Sequence, residues 1–157
     1  MSTLTVKAIA APVGYDLAMP AGHILQVVQG SNGDSVSTTS TSWVASTLTA
    51  TITPSSTSSK ILVHYSTNTY GADGAQGAST IYRDSTELTG HSNGCTYSWK
   101  DGARGFSPHI GSWLDSPSST SALVYKIYFR SVNTNQVDLP TEHDTTFSSI
   151  TLMEVAG

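Results

Sequence analysis

This sequence is short of charge. Only 11% of its residues are Asp, Glu, Lys or Arg, against about 25% in an ordinary soluble domain, so solubility must rest on its many Ser and Thr hydroxyls. The seven Lys and Arg are scattered and the net charge is -4. That balance argues against a nucleic-acid partner, because a phosphate-binding groove needs clustered cations. Cysteine occurs once, as Cys95, so an internal disulfide is excluded and stability has to come from packing, association or both. No run approaches the ~18 apolar residues of a membrane-spanning helix, and no membrane insertion is expected. Near the start, Lys7 precedes Ala8-Ile9-Ala10-Ala11, but Pro12, Gly14 and Asp16 interrupt the stretch before a secretory apolar core of about 7–15 residues can form. The segment is expected to be retained.

Signatures of chemistry are also scarce. The histidines, the cysteine and the serines show no arrangement that activates a nucleophile, so no enzyme and no catalytic residue is expected. His91 and Cys95 lie in an irregular stretch without paired zinc spacing. Glu142-His143-Asp144 lacks the regularly placed oxygen ligands of a calcium loop, and Gly71 to Gly77 lacks the Gly-Lys-Ser/Thr ending of a phosphate cradle. Neither metal nor cofactor is expected. His64, between Leu62 and Ser66, reads as a hydrogen-bonded structural side chain.

What is present is alternation. From Leu123 onward, Leu123, Tyr125, Ile127 and Phe129 fall on one side, and Val124, Lys126, Tyr128 and Arg130 on the other. A helix would spread Lys126 and Arg130 among the apolar residues, whereas a pleated strand separates them. Shorter stretches repeat the pattern. Gly22 to Gln29 is apolar on both sides; Trp43 to Thr53 sets Val44, Ser46, Leu48, Ala50 and Ile52 against its other face; Lys60 to Asn68 and Ser79 to Arg83 follow, then Thr86 to Leu88. Phe106 to Leu114, Gln136 to Leu139 and Phe147 to Val155 complete the set, the last without a readable register. Asn32-Gly33, Pro54, the Gly71–Gly77 segment, Asp84-Ser85 and Asp115-Ser116-Pro117 supply turns. Gly90 to Gly105 reads as the longest irregular stretch.

Eight or nine short strands with no amphipathic helix indicate one all-β domain, an antiparallel β-sandwich over residues 22–157 and best matched by a jelly roll. At 157 residues the chain can bury roughly 70% of its unfolded surface. Residues 1–21 carry Pro12, Gly14 and Pro20 and read as an extended arm. Leu4, Val6, Ile9, Val13, Tyr15 and Leu17, followed by Met19, make it too apolar for a solvated linker. The two-sided apolarity of the Gly22 and C-terminal strands implies that one outward face is covered by a copy of the chain.

Several segments resemble a module of bacteriophage tail-fibre ends and virion surface proteins. They are Gly22-His23-Ile24-Leu25-Gln26-Val27-Val28-Gln29, Thr53-Pro54-Ser55-Ser56-Thr57-Ser58-Ser59-Lys60-Ile61-Leu62-Val63, Thr80-Ile81-Tyr82-Arg83-Asp84-Ser85-Thr86, Leu114-Asp115-Ser116-Pro117, the strand from Leu123, and Ile150-Thr151-Leu152-Met153-Glu154-Val155. The resemblance implies a homotrimeric jelly roll of the tumour-necrosis-factor or C1q type on the virion surface. A fibre calls for a shaft of heptads or β-repeats, and only about twenty residues precede the domain. The expectation is therefore a capsid decoration or cement protein on the outer capsid, its arm laid on the major capsid protein. The alternative is the receptor-binding tip of a tail fibre or tailspike. Tyr97, Trp99, Lys100 and Arg104 form a candidate receptor loop for a host-surface glycan, since aromatic faces stack on sugar rings while polar neighbours bond hydroxyls. Tyr128, Arg130 and Met153 are candidate trimer contacts, with Lys126 and Arg130 expected to pair with carboxylates such as Glu87 or Glu154.

Overall fold

The alternating stretches become the strands of two facing sheets. In the computed structural model, which describes residues 19–32, 34–139 and 147–157, the strands are β1 (Ile24–Asn32), β2 (Val36–Thr38), β3 (Val44–Ile52), β4 (Lys60–Gly71), β5 (Gln76–Arg83), β6 (Thr86–Glu87), β7 (Thr96–Trp99), β8 (Gly105–Asp115), β9 (Leu123–Ser131), β10 (Val137–Leu139) and β11 (Ser148–Val155). No helix occurs among the described residues. The attachment arm, Leu4 to Leu17, and the Glu142-His143-Asp144 cluster lie outside them.

In the first sheet β1, β11, β4 and β8 lie side by side, and the far end of β4 also pairs β10, which pairs β2. In the second, β3, β9 and β5 are neighbours, and β6 and β7 share the remaining edge of β5. Every ladder between these strands is antiparallel. The chain is thus an antiparallel β-sandwich.

Inward side chains fill the space between the sheets. Leu123, Tyr125, Ile127 and Phe129 of β9 are buried, as their period requires, and they meet Ile61, Val63 and Tyr65 of β4 and Ile150 and Leu152 of β11 in one core. At one seam the sheets nearly touch: a Cβ on Gly30 of β1 would lie 2.0 Å from the Thr49 carbonyl oxygen of β3. Only glycine fits there. A bulge in β3 between Ala45 and Thr49 accompanies the approach, and the freed backbone is covered by Ser46 Oγ donating to Ile127 O and Thr49 Oγ1 donating to Tyr125 O.

Two expectations need correction. The stretch from Gly90 to Gly105 is not wholly irregular, because Thr96–Trp99 pairs with Gln76–Ser79 of β5. Four residues are too short a run for period two to stand out. Likewise β4 continues to Gly71 and β5 starts at Gln76, which shortens the glycine loop between them. On β11, whose register was not readable, the inward positions are Ser148, Ile150, Leu152 and Glu154, while Met153 and Val155 face outward and Phe147 is exposed. A buried glutamate at the last inward position is what hid the register.

Candidate interaction surfaces

Register places four apolar side chains in one line across the outward face of the first sheet. Val27 of β1 stands opposite Met153 of β11, Met153 opposite Leu62 of β4, and Leu62 opposite Leu114 of β8. Val27 and Leu114 are 57% and 50% exposed. Ile24 and Val155 pair just beyond this line and Leu25 adjoins it, so the apolar belt widens toward the end where the chain enters. The next line, Gln29, Thr151, His64 and Ser112, is polar and internally bonded, with Gln29 Nε2 donating to Thr151 Oγ1 and His64 Nδ1 2.8 Å from Ser112 Oγ. The belt is therefore bounded on that side.

The entering chain is fastened beside this belt. Gly22 N donates to Ala156 O and Ala156 N donates to His23 O, both at 2.8 Å, which continues the β1–β11 ladder past the bulge at Leu25. Glu154 stabilises the same corner from inside. It accepts hydrogen bonds from Ser55 N, Ser55 Oγ and Gln26 Nε2 at 2.6–2.7 Å. Burial raises its pKa, but these donors outweigh burial and hold it at about 2.

The outward face of the second sheet carries the other charged strand positions. Arg130 donates to Thr41 O, Ser92 O and Asn93 Oδ1, and its guanidinium lies 5.0 Å from the Trp43 ring centroid. It ties two loops to β9. Tyr128 stacks on Tyr82 with ring centroids 3.9 Å apart. The carboxylates expected to pair with Arg130 or Lys126 are engaged elsewhere: Glu154 as above, and Glu87 by Thr80 Oγ1, Thr89 N, Thr89 Oγ1 and Gly90 N. Burial raises the Glu87 pKa, yet those donors lower it overall. Tyr128 and Arg130 thus lie on the opposite outer face from Met153, and the three do not make one patch.

Tyr97 and Trp99 of β7 also face outward from the second sheet, 44% and 65% exposed. Arg104 instead lies 5.7 Å from the Tyr70 ring centroid, and Tyr70 is 5.0 Å from Phe106 on the outward face of the first sheet. Lys100 packs its chain beside Gly105, where an added Cβ would come within 2.8 Å of Nζ. The four receptor-loop residues therefore divide between two aromatic groups at one end of the sandwich. Tyr70 and Phe106 escaped the sequence reading because they come from β4 and β8.

No family model matches this chain, and no curated protein matches it. Ser79 Oγ lies 2.8 Å from His109 Nδ1, while His109 Nε2 lies 2.9 Å from Ser98 Oγ and the Tyr65 hydroxyl 2.8 Å from Ser79 Oγ. Ser79, His109 and Tyr65 are each 0% exposed, so the serine–histidine contact meets neither solvent nor substrate. Burial pushes His109 down to about 4 and Tyr65 up to about 12, which keeps both neutral. Arg83 and Asp115 make the second cross-sheet link, with two hydrogen bonds of 2.8 and 2.6 Å and the Tyr125 hydroxyl donating to Asp115 at 2.7 Å.

One motif escaped the sequence reading altogether. Gly90-His91-Ser92-Asn93-Gly94 fits Gly-x-Ser-x-Gly letter for letter. That motif activates serine on a strained turn between a strand and a helix. Here the segment runs from β6 toward β7, positive φ falls on Gly90 and Gly94 but not on Ser92, and the Ser92 carbonyl is held by Arg130. The letters are present without their structural context. Among the described residues, no group of three or more His, Cys, Asp or Glu side chains could hold a metal ion.

Proposed function

We propose that this chain is a structural protein of a bacteriophage particle, a homotrimeric jelly roll that decorates and reinforces the capsid by binding the major capsid protein through its N-terminal arm. The observation that carries the reading is the line Val27, Met153, Leu62 and Leu114. An apolar belt across four strands of an outer sheet face is the kind of surface that soluble proteins cover, and in a chain so poor in charge a second and third copy are the simplest cover. The sequence resemblance to phage virion modules supports the same assembly. Attachment through the arm, residues 1–21, is supported by its apolar content and by the entry of the chain beside the belt at Gly22 and Ile24.

The tail-tip alternative draws on a different observation, the outward Tyr97 and Trp99, whose exposed rings suit stacking on a host-surface glycan. Light scattering of the purified protein tests the trimer, and a monomer removes it. Electron microscopy of particles from cells expressing the chain separates shell from tail. Deleting residues 1–20 is expected to leave the trimer folded and abolish capsid binding; decoration by the truncated protein removes the role of the arm. Trp99→Ala that leaves cell binding intact removes the adhesive reading.

A further inference from the structure

At the flank where β7 meets β8 the interior of the sandwich is polar. Thr96 and Ser98 are the inward residues of β7, and no residue of that strand belongs to the hydrophobic core. What ties β7 to the first sheet is a chain of hydroxyls and an imidazole. Ser98 Oγ lies 2.9 Å from His109 Nε2, His109 Nδ1 2.8 Å from Ser79 Oγ, and Ser79 Oγ 2.8 Å from the Tyr65 hydroxyl. That hydroxyl is 3.1 Å from Thr96 Oγ1, which donates to Ile110 O. The chain leaves β7 at Ser98, passes through β8, β5 and β4, and returns to β7 at Thr96. Apolar packing holds the sheets together elsewhere; here hydrogen bonds take its place.

His109 is the member of this chain that acid can charge, and it is 0% exposed. A neutral imidazole donates through one ring nitrogen and accepts through the other, whereas the cation donates through both. Neither Ser79 nor Ser98 can then donate to the ring, and the other acceptor near Ser98 is Gly77 O at 3.5 Å. Around the ring β4 presents Tyr65 and Thr67, β5 presents Gly77 and Ser79, β7 presents Thr96 and Ser98, and Val137 of β10 lies beside Gly77. Cys95, against Tyr65, is a neutral thiol because burial raises its pKa, and Glu87 beyond it is engaged by Thr80, Thr89 and Gly90. Among the described residues, no group of opposite charge bonds to His109. A buried charge without a counter-ion is unfavourable, and the imidazole accordingly titrates at about 4 instead of 6.5.

The size of that shift decides what gives way. It means that proton binding favours an opened flank by up to about 300-fold. Folded small domains outweigh their unfolded forms by about 10³–10⁸, so the bias is too small to unfold both sheets. It is large for a four-residue edge strand that brings no side chain to the core.

We propose that His109 is an acid-sensitive latch: protonation of its imidazole frees β7 and the 91–95 segment from β8 while both sheets stay folded. The stabilisation of the closed flank is complete above pH 6.5 and is lost as pH falls through 4. Because β7 carries Tyr97 and Trp99 outward, acid displaces that aromatic surface as well. The inference concerns the domain alone and does not depend on the virion reading.

Cys95 reports the opening, since it packs against Tyr65 and Gly111 in this flank. The full chain is treated with dithiodipyridine, which reacts with thiols at acid pH, and each rate is divided by that of the urea-unfolded chain at the same pH. The ratio should rise about 20-fold from pH 7 to pH 5, with near-ultraviolet circular dichroism unchanged. At pH 5 the opening constant read from this ratio should exceed the global unfolding constant from urea titration by about tenfold or more. His109→Gln should hold the ratio constant to within about twofold over the same range. Ser98→Ala should raise it about fivefold at pH 7, again with native dichroism. The proposal is overturned if the native ratio is flat, if the rise persists in His109→Gln, if Ser98→Ala leaves the ratio at pH 7 unchanged, or if the local and global constants coincide.

Discussion

Ser79 Oγ and His109 Nδ1 meet at 2.8 Å in a space closed to solvent, one residue from each sheet. The contact stitches the sandwich through a neutral imidazole. Its pKa of about 4, against an ordinary 6.5, comes from burial. Between pH 6.5 and 4 the unfolded chain binds a proton at this residue that the folded chain does not, so stability falls as pH falls through that window. The full loss is about 3 kcal/mol at most. A thermal midpoint that declines from pH 6.5 to 4 in the native chain, and a flatter profile in His109→Gln, is the expected result. Equal slopes in the two proteins would show that His109 is not the titrating group.

A second acid-sensitive window belongs to Glu154. Its folded pKa of about 2 lies below the ordinary 4.5, so its stabilisation is complete above about 4.5 and is lost as pH falls toward 2. Glu154→Gln replaces one acceptor by an amide donor opposite Ser55 N or Gln26 Nε2 and should cost about 2 kcal/mol in urea unfolding at pH 7. The variant should also show a shallower pH dependence below 4.5, where Glu87 still contributes, while keeping that of His109.

Gly30→Ala tests the close seam. The added methyl would overlap the Thr49 carbonyl oxygen, which belongs to a strand and cannot swing away. Overpacking of this kind costs about 1–3 kcal/mol. Gly90→Ala, where nothing lies within 4 Å but φ is +66, should cost about 1 kcal/mol from backbone strain alone. A smaller loss at Gly30 than at Gly90 would mean that the sheets are further apart at β1 and β3 than described.

Leu114→Glu and Val27→Glu test the apolar belt. Both positions are half-exposed or more, and surface substitutions of this kind change the stability of a single copy by roughly 0.5 kcal/mol or less. Each variant should be monomeric by light scattering while retaining the native chain's far-ultraviolet circular dichroism. Trimers that persist in both variants would move the interface to another face, with the Tyr128 and Arg130 side of the second sheet the next to be tested.

The sequence by itself determined that the chain is all-β and which residues of its longer strands point inward. Leu48, Ile61, Ile127 and Phe129 could be assigned because period two is a property of one strand, set by its own pleat. Short strands such as Thr96–Trp99 were not legible, since two turns of the pattern do not stand apart from chance. The candidate site residues were only partly legible: Met153 could be named as a candidate trimer contact, but neither its outward side nor its place between Val27 and Leu62 could be read along one strand.

Only the tertiary structure decided what shares a surface. Register is set by hydrogen-bond ladders between segments as far apart as residues 27 and 153, and no local pattern encodes that alignment. The same holds for Glu154, which is tolerable inside because Ser55 and Gln26 bring donors to it. Polar groups buried by folding are stable only with partners that folding itself supplies.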